Sequence, residues 1–519
     1  MSELKNEREF PQVEKIDHLK KPQSSVTIVA ESFKNICSNT TAHAIPNIAR
    51  SEIKIVTILW VFLLLGGTGA TIYYVYDALT NFFSYPSSVN IDFMQLQLED
   101  FPAVTFCNLN PFDSSSVSVK KYLEQSLEKN GLSSVIKGDE SKSAIYQVNT
   151  AMKVLRANSM FDSKFNKSLI PKELNFNLES MMISCSFNGQ TCTKDDFDNY
   201  RTFEYGNCFT FNVKNQKNGN STVRQTSQTG AGSGLTLELF TGYPGIQDDY
   251  MDRRGIYLSV HNNSNKASTK FDGIKLPVGY SSEIGIKRNF YTRIGPPYSE
   301  CRKNTSYFSE DDPTYYKNTL GVGIYSRKVC FEICLQNEFI IPKCNCSDPS
   351  VPITNDDQKL CSTLNETICV EDVRKFFDSK DLTKFCEDQC PRECDKVEYL
   401  YDINNSDYPS VYYYNVIKDQ PNLKGKFEAS GNLSYNLFKQ SVLMVNVHYQ
   451  ELSYTFYEEI ITYKVSDIIG SVGGQVGLFL GCSVLTFFEP LEFLLEVLFK
   501  IVNRSNRKSG TVVKPFNLE

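Results

Sequence analysis

The sequence predicts an α+β membrane protein with two transmembrane helices and a large, disulfide-rich ectodomain between them. Three observations carry this. Two long apolar runs, residues 53–76 and 468–499, lie near the ends of the 519-residue chain. No other stretch reaches the roughly 20 residues that a helix needs to cross a bilayer. Fourteen of the sixteen cysteines, Cys107 to Cys394, fall between the runs, an even number suited to an oxidising compartment. Eight Asn-x-Ser/Thr sequons share that interval, at Asn166, Asn220, Asn262, Asn304, Asn345, Asn365, Asn404 and Asn432. Each is a glycan acceptor if exposed in the secretory pathway.

The totals agree. A mean hydropathy of −0.31 with 41% hydrophobic residues describes a mostly aqueous protein with few spans. A net charge of −6 gives no polycation for nucleic acid. An aromatic content of 13% suits a folded ectodomain better than a disordered one.

In chain order, residues 1–52 form a polar N-terminal segment. No apolar signal region precedes residue 53, so this segment is expected to stay in the cytosol. His43 is a lone histidine, structural or incidental rather than a ligand. Arg50 and Lys54 flank the first span (53–76), and Lys500, Arg504, Arg507 and Lys508 follow the second. Positive charge marks the cytoplasmic side. Both termini, 1–52 and 500–519, are therefore expected inside a multi-pass plasma-membrane protein, with 77–466 outside. Within 77–466, apolar spacing predicts helices over 117–132, 141–156 and 366–390. Alternation predicts strands over 235–240 and 441–449. The glycine run 230–234 lacks a lysine and a following helix, so it reads as a turn into a strand rather than a phosphate loop.

The second run, 467–499, is a poor inert anchor. Gly470, Gly473, Gly474, Gly477 and Gly481 give it a small-residue face of the kind that lets helices approach closely in lipid. Gly481, Cys482 and Ser483 sit mid-span with backbone carbonyls and a hydroxyl to offer. Glu489 and Glu492 lie within or near the membrane, where an ionisable residue is costly and suggests function. A packing seam and a pore-lining helix both fit this pattern. No catalytic signature or paired Cys-x2-Cys zinc site is present, which points away from an enzyme or a metal centre.

Phe101-Pro102-Ala103-Val104-Thr105-Phe106-Cys107-Asn108-Leu109-Asn110 resembles the signature that follows the first span in the degenerin/epithelial sodium channel family. Residues 473–483, including Gly481-Cys482-Ser483, resemble that family's second-span signature, and the fourteen external cysteines match its pattern in number and order. The resemblance covers almost the whole chain. It implies a homotrimer or heterotrimer whose ectodomain is hand-shaped, with palm, β-ball, finger, thumb and knuckle. It implies a membrane-embedded sodium channel blocked by amiloride, with no cofactor beyond the permeant sodium ion. It also implies the disulfides Cys107–Cys208, Cys185–Cys192, Cys301–Cys394, Cys330–Cys390, Cys334–Cys386, Cys344–Cys369 and Cys346–Cys361. In a trimer, Gly481, Cys482 and Ser483 would form the selectivity belt. Asp467 outside and Glu489 and Glu492 inside would gather cations. Gly470, Ser471, Val472, Gly473 and Gly474 would hold the gate.

This chain departs from the family pattern in two places. The pre-membrane His-Gly reads His43-Ala44, and a Trp of the wrist is replaced by Tyr298. Tyr298 and Tyr85 would couple the thumb base to the first span, unless they only form an interfacial aromatic belt. Acid-sensing relatives carry a histidine beside the position of Tyr85; here the segment reads Ser84-Tyr85-Pro86-Ser87-Ser88. The sequence is most similar to the invertebrate branch gated by FMRFamide-type neuropeptides. Proton-gated, mechanically gated and constitutive members are the alternatives. An ATP-gated two-span trimer and a non-conducting cell-surface receptor are more remote ones. An amidated peptide brings cationic and aromatic groups, so its site should offer acids and aromatics together. Tyr122, Tyr146, Phe161, Phe165, Phe187, Asp195 and Asp196 are the candidates, with helix packing the alternative role for the aromatics.

Overall fold

The computed structural model describes residues 25–132, 144–165, 170–171, 173–214, 222–242, 244, 253–354, 358–380, 382–427, 431 and 433–508. It divides into two units, one formed by Met1–Ser87 with Ile461–Glu519 and the other by Ser88–Ile460.

The second unit is built on two sheets. One has seven strands, in the order Asp395–Asp407, Tyr280–Thr292, Val442–Ile461, Leu235–Phe240, Met182–Phe187 and Gln190–Thr191, with Ser87–Gln95 also paired to Val442–Ile461. The other has five, in the order Ile274–Leu276, Ile256–His261, Ala103–Asn108, Gly206–Phe211 and Phe197–Thr202. Inward residues of both sheets share one core, including Phe106, Phe211, Leu237, Ile284 and Val445. The strand expected at 235–240 is present, whereas the one expected at 441–449 continues to Ile461. Alternate apolar residues persist beyond Tyr449, so nothing ends the strand there. Gly230, Gly232 and Gly234 turn into Leu235–Phe240 with φ of 80°, 91° and 73°. A Cβ on Gly234 would stand 2.1 Å from the Val447 carbonyl oxygen.

Helices Val117–Lys129 and Ala144–Phe165 form a separate apolar cluster around Leu123, Val154 and Leu155. The latter runs nine residues past the expected end at 156, because no breaker intervenes. The helix expected over 366–390 is two helices, Leu364–Ser379 and Thr383–Glu387. The first opens with a Thr363–Glu366 capping box, and Phe377 and Leu382 turn inward at the break.

The first unit is helical. Lys54–Phe83 is long and apolar enough to cross a membrane. It outruns the expected 53–76 because Asp77 is tolerated within a helix, which ends only before Tyr85 (φ 49°) and Pro86. The hydroxyls of Thr57, Thr68, Thr71 and Thr80 donate to carbonyls four residues back, so they need no other partner in lipid. The second run is not one helix. Val465–Leu480 and Val484–Val502 are bent by 81° at a short break, and the pair passes for a span only if taken together. Gly67 meets this helix closely: a Cβ there would stand 2.8 Å from the Phe479 carbonyl oxygen. Tyr74 stacks on Phe479 at 5.7 Å.

Candidate functional site: the break in the second span

Helix Val465–Leu480 ends because Gly481 takes the left-handed conformation, φ 66° and ψ 18°, which glycine adopts without a Cβ penalty. Its N–H still closes the last turn on Gly477 O at 2.9 Å. Ser483 is extended, and its N–H donates to Thr486 Oγ1 at 2.9 Å, starting the short helix Val484–Phe487. The backbone is thus unwound over the three residues expected to form the selectivity belt.

Residues 40–43, between helices Ser25–Asn39 and Ala44–Arg50, pack into this break. The His43 N–H donates to Leu480 O at 3.2 Å. The His43 ring fills the space beside Gly481, where a Cβ would stand 2.2 Å from Nδ1. Thr41 donates to Glu489 Oε1 from its N–H at 2.9 Å and from its hydroxyl at 2.7 Å, and Thr40 Oγ1 donates to Oε2. The sequence assigned His43 no site, and it missed Thr40 and Thr41. The Thr pair just before His43-Ala44 was a signal, but its carboxylate partner lies 448 residues away from Thr41.

The other expected residues are placed as follows. Glu489 is held on both oxygens by Thr40 and Thr41 instead of standing open, while Glu492 is exposed. Asp467 accepts the Lys464 N–H at 2.9 Å and so caps its own helix. Gly470, Ser471, Gly473 and Gly474 are exposed, and a Cβ on any of these glycines meets nothing in the chain. Tyr85 lies in the first unit, edge-on to Phe83 at 6.5 Å, and Tyr298 in the second, its N–H on Gly295 O at 3.2 Å.

The fourteen external cysteines pair as Cys107–Cys208, Cys185–Cys192, Cys301–Cys394, Cys330–Cys390, Cys334–Cys386, Cys344–Cys369 and Cys346–Cys361. The last five are nested along the helical arm formed by residues 301–394. Cys37 and Cys482 are free. Of the sequons, Asn262, Asn304, Asn345, Asn365 and Asn404 are exposed, while Asn166, Asn220 and Asn432 lie outside the described residues.

Among the described residues, the peptide-site candidates meet only in part: Arg224 binds Asp196 and lies over the Phe187 ring at 5.7 Å. Phe187 is sheet core, 6% exposed and edge-on to Phe101. It alternates inward on a strand that packs on both sheets, which rules it out as a pocket wall. Asp196 is bound by Arg224 and by the Thr193 N–H, and these outweigh burial and hold its carboxyl below the usual range. Tyr122 donates to Asp162 at 2.8 Å and packs on the helical cluster. Phe161 is half-buried and Asp195 exposed. The side chains of Tyr146 and Phe165 lie outside the described residues.

The chain thus combines one helix long and apolar enough to cross a membrane, a bent glycine-rich helix pair that passes the same test if taken together, and a disulfide-rich α+β unit. A family model described as "Amiloride-sensitive sodium channel" matches residues 36–493. The chain belongs to that family, so it is an ion-channel subunit rather than an enzyme, and sodium is its permeant ion rather than a cofactor.

The human "Bile acid-sensitive ion channel" is 28% identical over 493 residues, 92% of this chain and 88% of the relative. "Degenerin-like protein asic-2" of Caenorhabditis elegans is 26% identical over 489 residues, 89% of this chain and 86% of the relative. "Acid-sensing ion channel 1C" of Danio rerio is 25% identical over 472 residues, 89% and 83% respectively. A solved "proton-activated chloride channel" covers 85% of this chain and 98% of its own at 6% identity, but a TM-score of 0.33 is too low to carry an argument.

Proposed function

We propose that three copies of this chain form a sodium-selective, amiloride-blocked channel of the plasma membrane, with both termini cytoplasmic and the second unit outside. The observation that carries this is the break at Gly481–Ser483. Three such breaks around one axis offer a ring of carbonyls and hydroxyls to replace the hydration shell of sodium. Irregular backbone in a membrane is tolerated where it lines a cavity. The open glycine face at Gly470 and Gly474 supports a gate where the three helices meet. In this reading Glu492 gathers cations on the cytosolic side, and Glu489, held by Thr40 and Thr41, ties the N-terminal loop to the pore.

The stimulus in this reading is an extracellular amidated Phe/Arg peptide. The overall resemblance to the peptide-gated branch supports it, and so does the missing histidine beside Tyr85. The pocket is left unassigned, because the side chains of Tyr146 and Phe165 lie outside the described residues and Phe187 and Asp196 are already engaged by Arg224. A bile acid is the second reading, favoured by the similarity to the human bile acid-sensitive channel over 92% of the chain. Both are tested by expressing the chain in oocytes under voltage clamp. FMRFamide should evoke an amiloride-blocked inward sodium current. Silence to peptide with a current evoked by bile acid, the protein being shown at the surface, selects the second reading.

A further inference from the structure

The sequon at Asn345 differs from the other seven in having a cysteine, Cys346, as its middle residue. We infer that Asn345 accepts an oligosaccharide only before the Cys346–Cys361 disulfide closes. In the folded channel it is left bare while Asn262, Asn304 and Asn404 carry glycan. This rests on the placement of the second unit outside the membrane.

In the transfer, Asn Nδ2 attacks C1 of a sugar linked to lipid pyrophosphate. The N–C1 bond forms, the C1–O bond breaks, the lipid pyrophosphate leaves, and the amide gives a proton to solvent. The transferring enzyme must also reach the hydroxyl two residues on, which is what defines a sequon. Here that hydroxyl is out of reach. Ser347 is 1% exposed, and its Oγ donates to Gln358 Oε1 at 3.0 Å. Its N–H donates to Lys359 O at 2.8 Å, and its carbonyl accepts the Cys361 N–H at 2.9 Å. Asn345 itself is left-handed, φ 55° and ψ 30°, capping Ile341–Cys344 with its N–H on Ile341 O at 2.9 Å. The disulfide pins both ends of the contact between Ser347 and 358–361.

The open sequons differ in the hydroxyl residue and in the cysteine, though Asn304 is itself left-handed at φ 56°. Ser264, Ser306 and Ser406, the hydroxyl residues following Asn262, Asn304 and Asn404, are exposed, and no cysteine lies within those sequons. Asn404 lies on Asp395–Asp407, the outermost strand in its sheet order. Thr367, the hydroxyl residue of Asn365, is covered inside a helix and donates to Thr363 O at 2.9 Å, but its sequon holds no disulfide.

Timing follows from chain length. The Cys346–Cys361 rung has a sequence separation of 15, against 25, 52, 60 and 93 for the other rungs of the arm. Shorter loops cost less entropy to close, and this partner is the first to emerge during synthesis. The rung can therefore shut the sequon early.

The test is site occupancy. The full chain is made in a eukaryotic cell, and all of it, folded or not, is deglycosylated in heavy-oxygen water and mapped by mass spectrometry. Wild type should show Asn262, Asn304 and Asn404 occupied and Asn345 nearly empty. Cys361→Ser, which leaves the sequon intact, should raise Asn345 occupancy severalfold. So should dithiothreitol present during synthesis of the wild-type chain, which separates the disulfide from any effect of the substitution. Asn345 filled to the level of Asn304 in wild type would overturn the inference. So would Asn345 staying bare under both manipulations. All sequons bare would overturn it too, by removing the extracellular placement on which it rests.

Discussion

The imidazole of His43 occupies the space that a side chain on Gly481 would need, with Nδ1 2.2 Å from the position of a Cβ, and the His43 N–H binds the preceding carbonyl of Leu480 at 3.2 Å. Two demands therefore fall on Gly481: a left-handed backbone and no side chain. Gly481→Ala violates both. The left-handed backbone alone costs an alanine about 1–2 kcal/mol, and the ring must also move. In reversal-potential recordings, Gly481→Ala should lose sodium selectivity or current, while Gly477→Ala, whose Cβ meets only Cys482 O at 3.7 Å, should keep both.

The gate is expected at Gly470, Ser471, Val472, Gly473 and Gly474. Eleven residues separate Gly470 from Gly481, roughly 16 Å of helix at 1.5 Å each. Ser471 is exposed in the single chain instead of packing on the first span. A bulky residue there should obstruct closure more than opening, and the equilibrium shifts by that difference. If overpacking costs the closed state about 3 kcal/mol, closed:open populations change on the order of a hundredfold. Ser471→Phe or Ser471→Trp should give a standing, amiloride-blocked current without peptide. Variants at the surface that stay shut until peptide arrives would move the gate elsewhere.

A step of external pH from 7.4 to 5.5 should not open the channel by itself. Burial lowers both histidines of the second unit: His261 to about 4, so it is neutral at pH 5.5, and His448 below its usual value despite Glu283. Burial raises Glu332 and Asp348, but Arg374 and Lys270 outweigh it and keep both carboxyls below the usual range. Those ion pairs thus survive at pH 5.5. Glu99 goes the other way, because burial outweighs its Arg288 partner. It is the first residue to replace if a large acid-evoked current appears.

The same shifts give a stability window. His261 binds a proton more readily unfolded than folded, so protonation favours unfolding. Its contribution is whole above about 6.5 and is lost as pH falls from there to about 4. The Glu332 and Asp348 contributions are present above the ordinary carboxylate values and are lost only at lower pH. The thermal midpoint of the detergent-solubilised channel should therefore already fall between pH 6.5 and 4. His261→Gln should flatten that fall, and an unchanged slope in the variant would sink the assignment.

The five nested disulfides of residues 301–394 should stiffen that arm, each typically contributing about 2–4 kcal/mol. Peptide mapping without reduction should return the seven pairs with no free thiol among them. A crossed pair would contradict the layout.

How much of this was legible depended on whether the signal was local. Gly481 and Ser483 allowed an unwound segment, but the same small residues suit a helix-packing seam, and only the family resemblance pointed to the pore. The paired strands and the turn at Gly230–Gly234 were readable from alternation and glycine spacing. The helix of the first run continues past the expected 76, since a charge at Asp77 does not stop a helix and the backbone changes only at Tyr85-Pro86. The grip of Thr40 and Thr41 on Glu489 was invisible, because its partners are joined only by the fold. Asp196 was taken for a ligand although Thr193-x-x-Asp196 is a capping-box spacing, and Phe187 although its strand points it into the core.

The most direct test of the central claim, that residues 481–483 select sodium, is the reversal potential of a standing current that needs no stimulus. Ser471→Phe is recorded under external sodium, then potassium, with and without Ser483→Ala. With Ser483 intact, replacing sodium by potassium should shift the reversal potential strongly negative. With Ser483→Ala that shift should shrink, the current persisting. An undiminished shift in the double variant, or equal permeability to both ions with Ser483 intact, would contradict it.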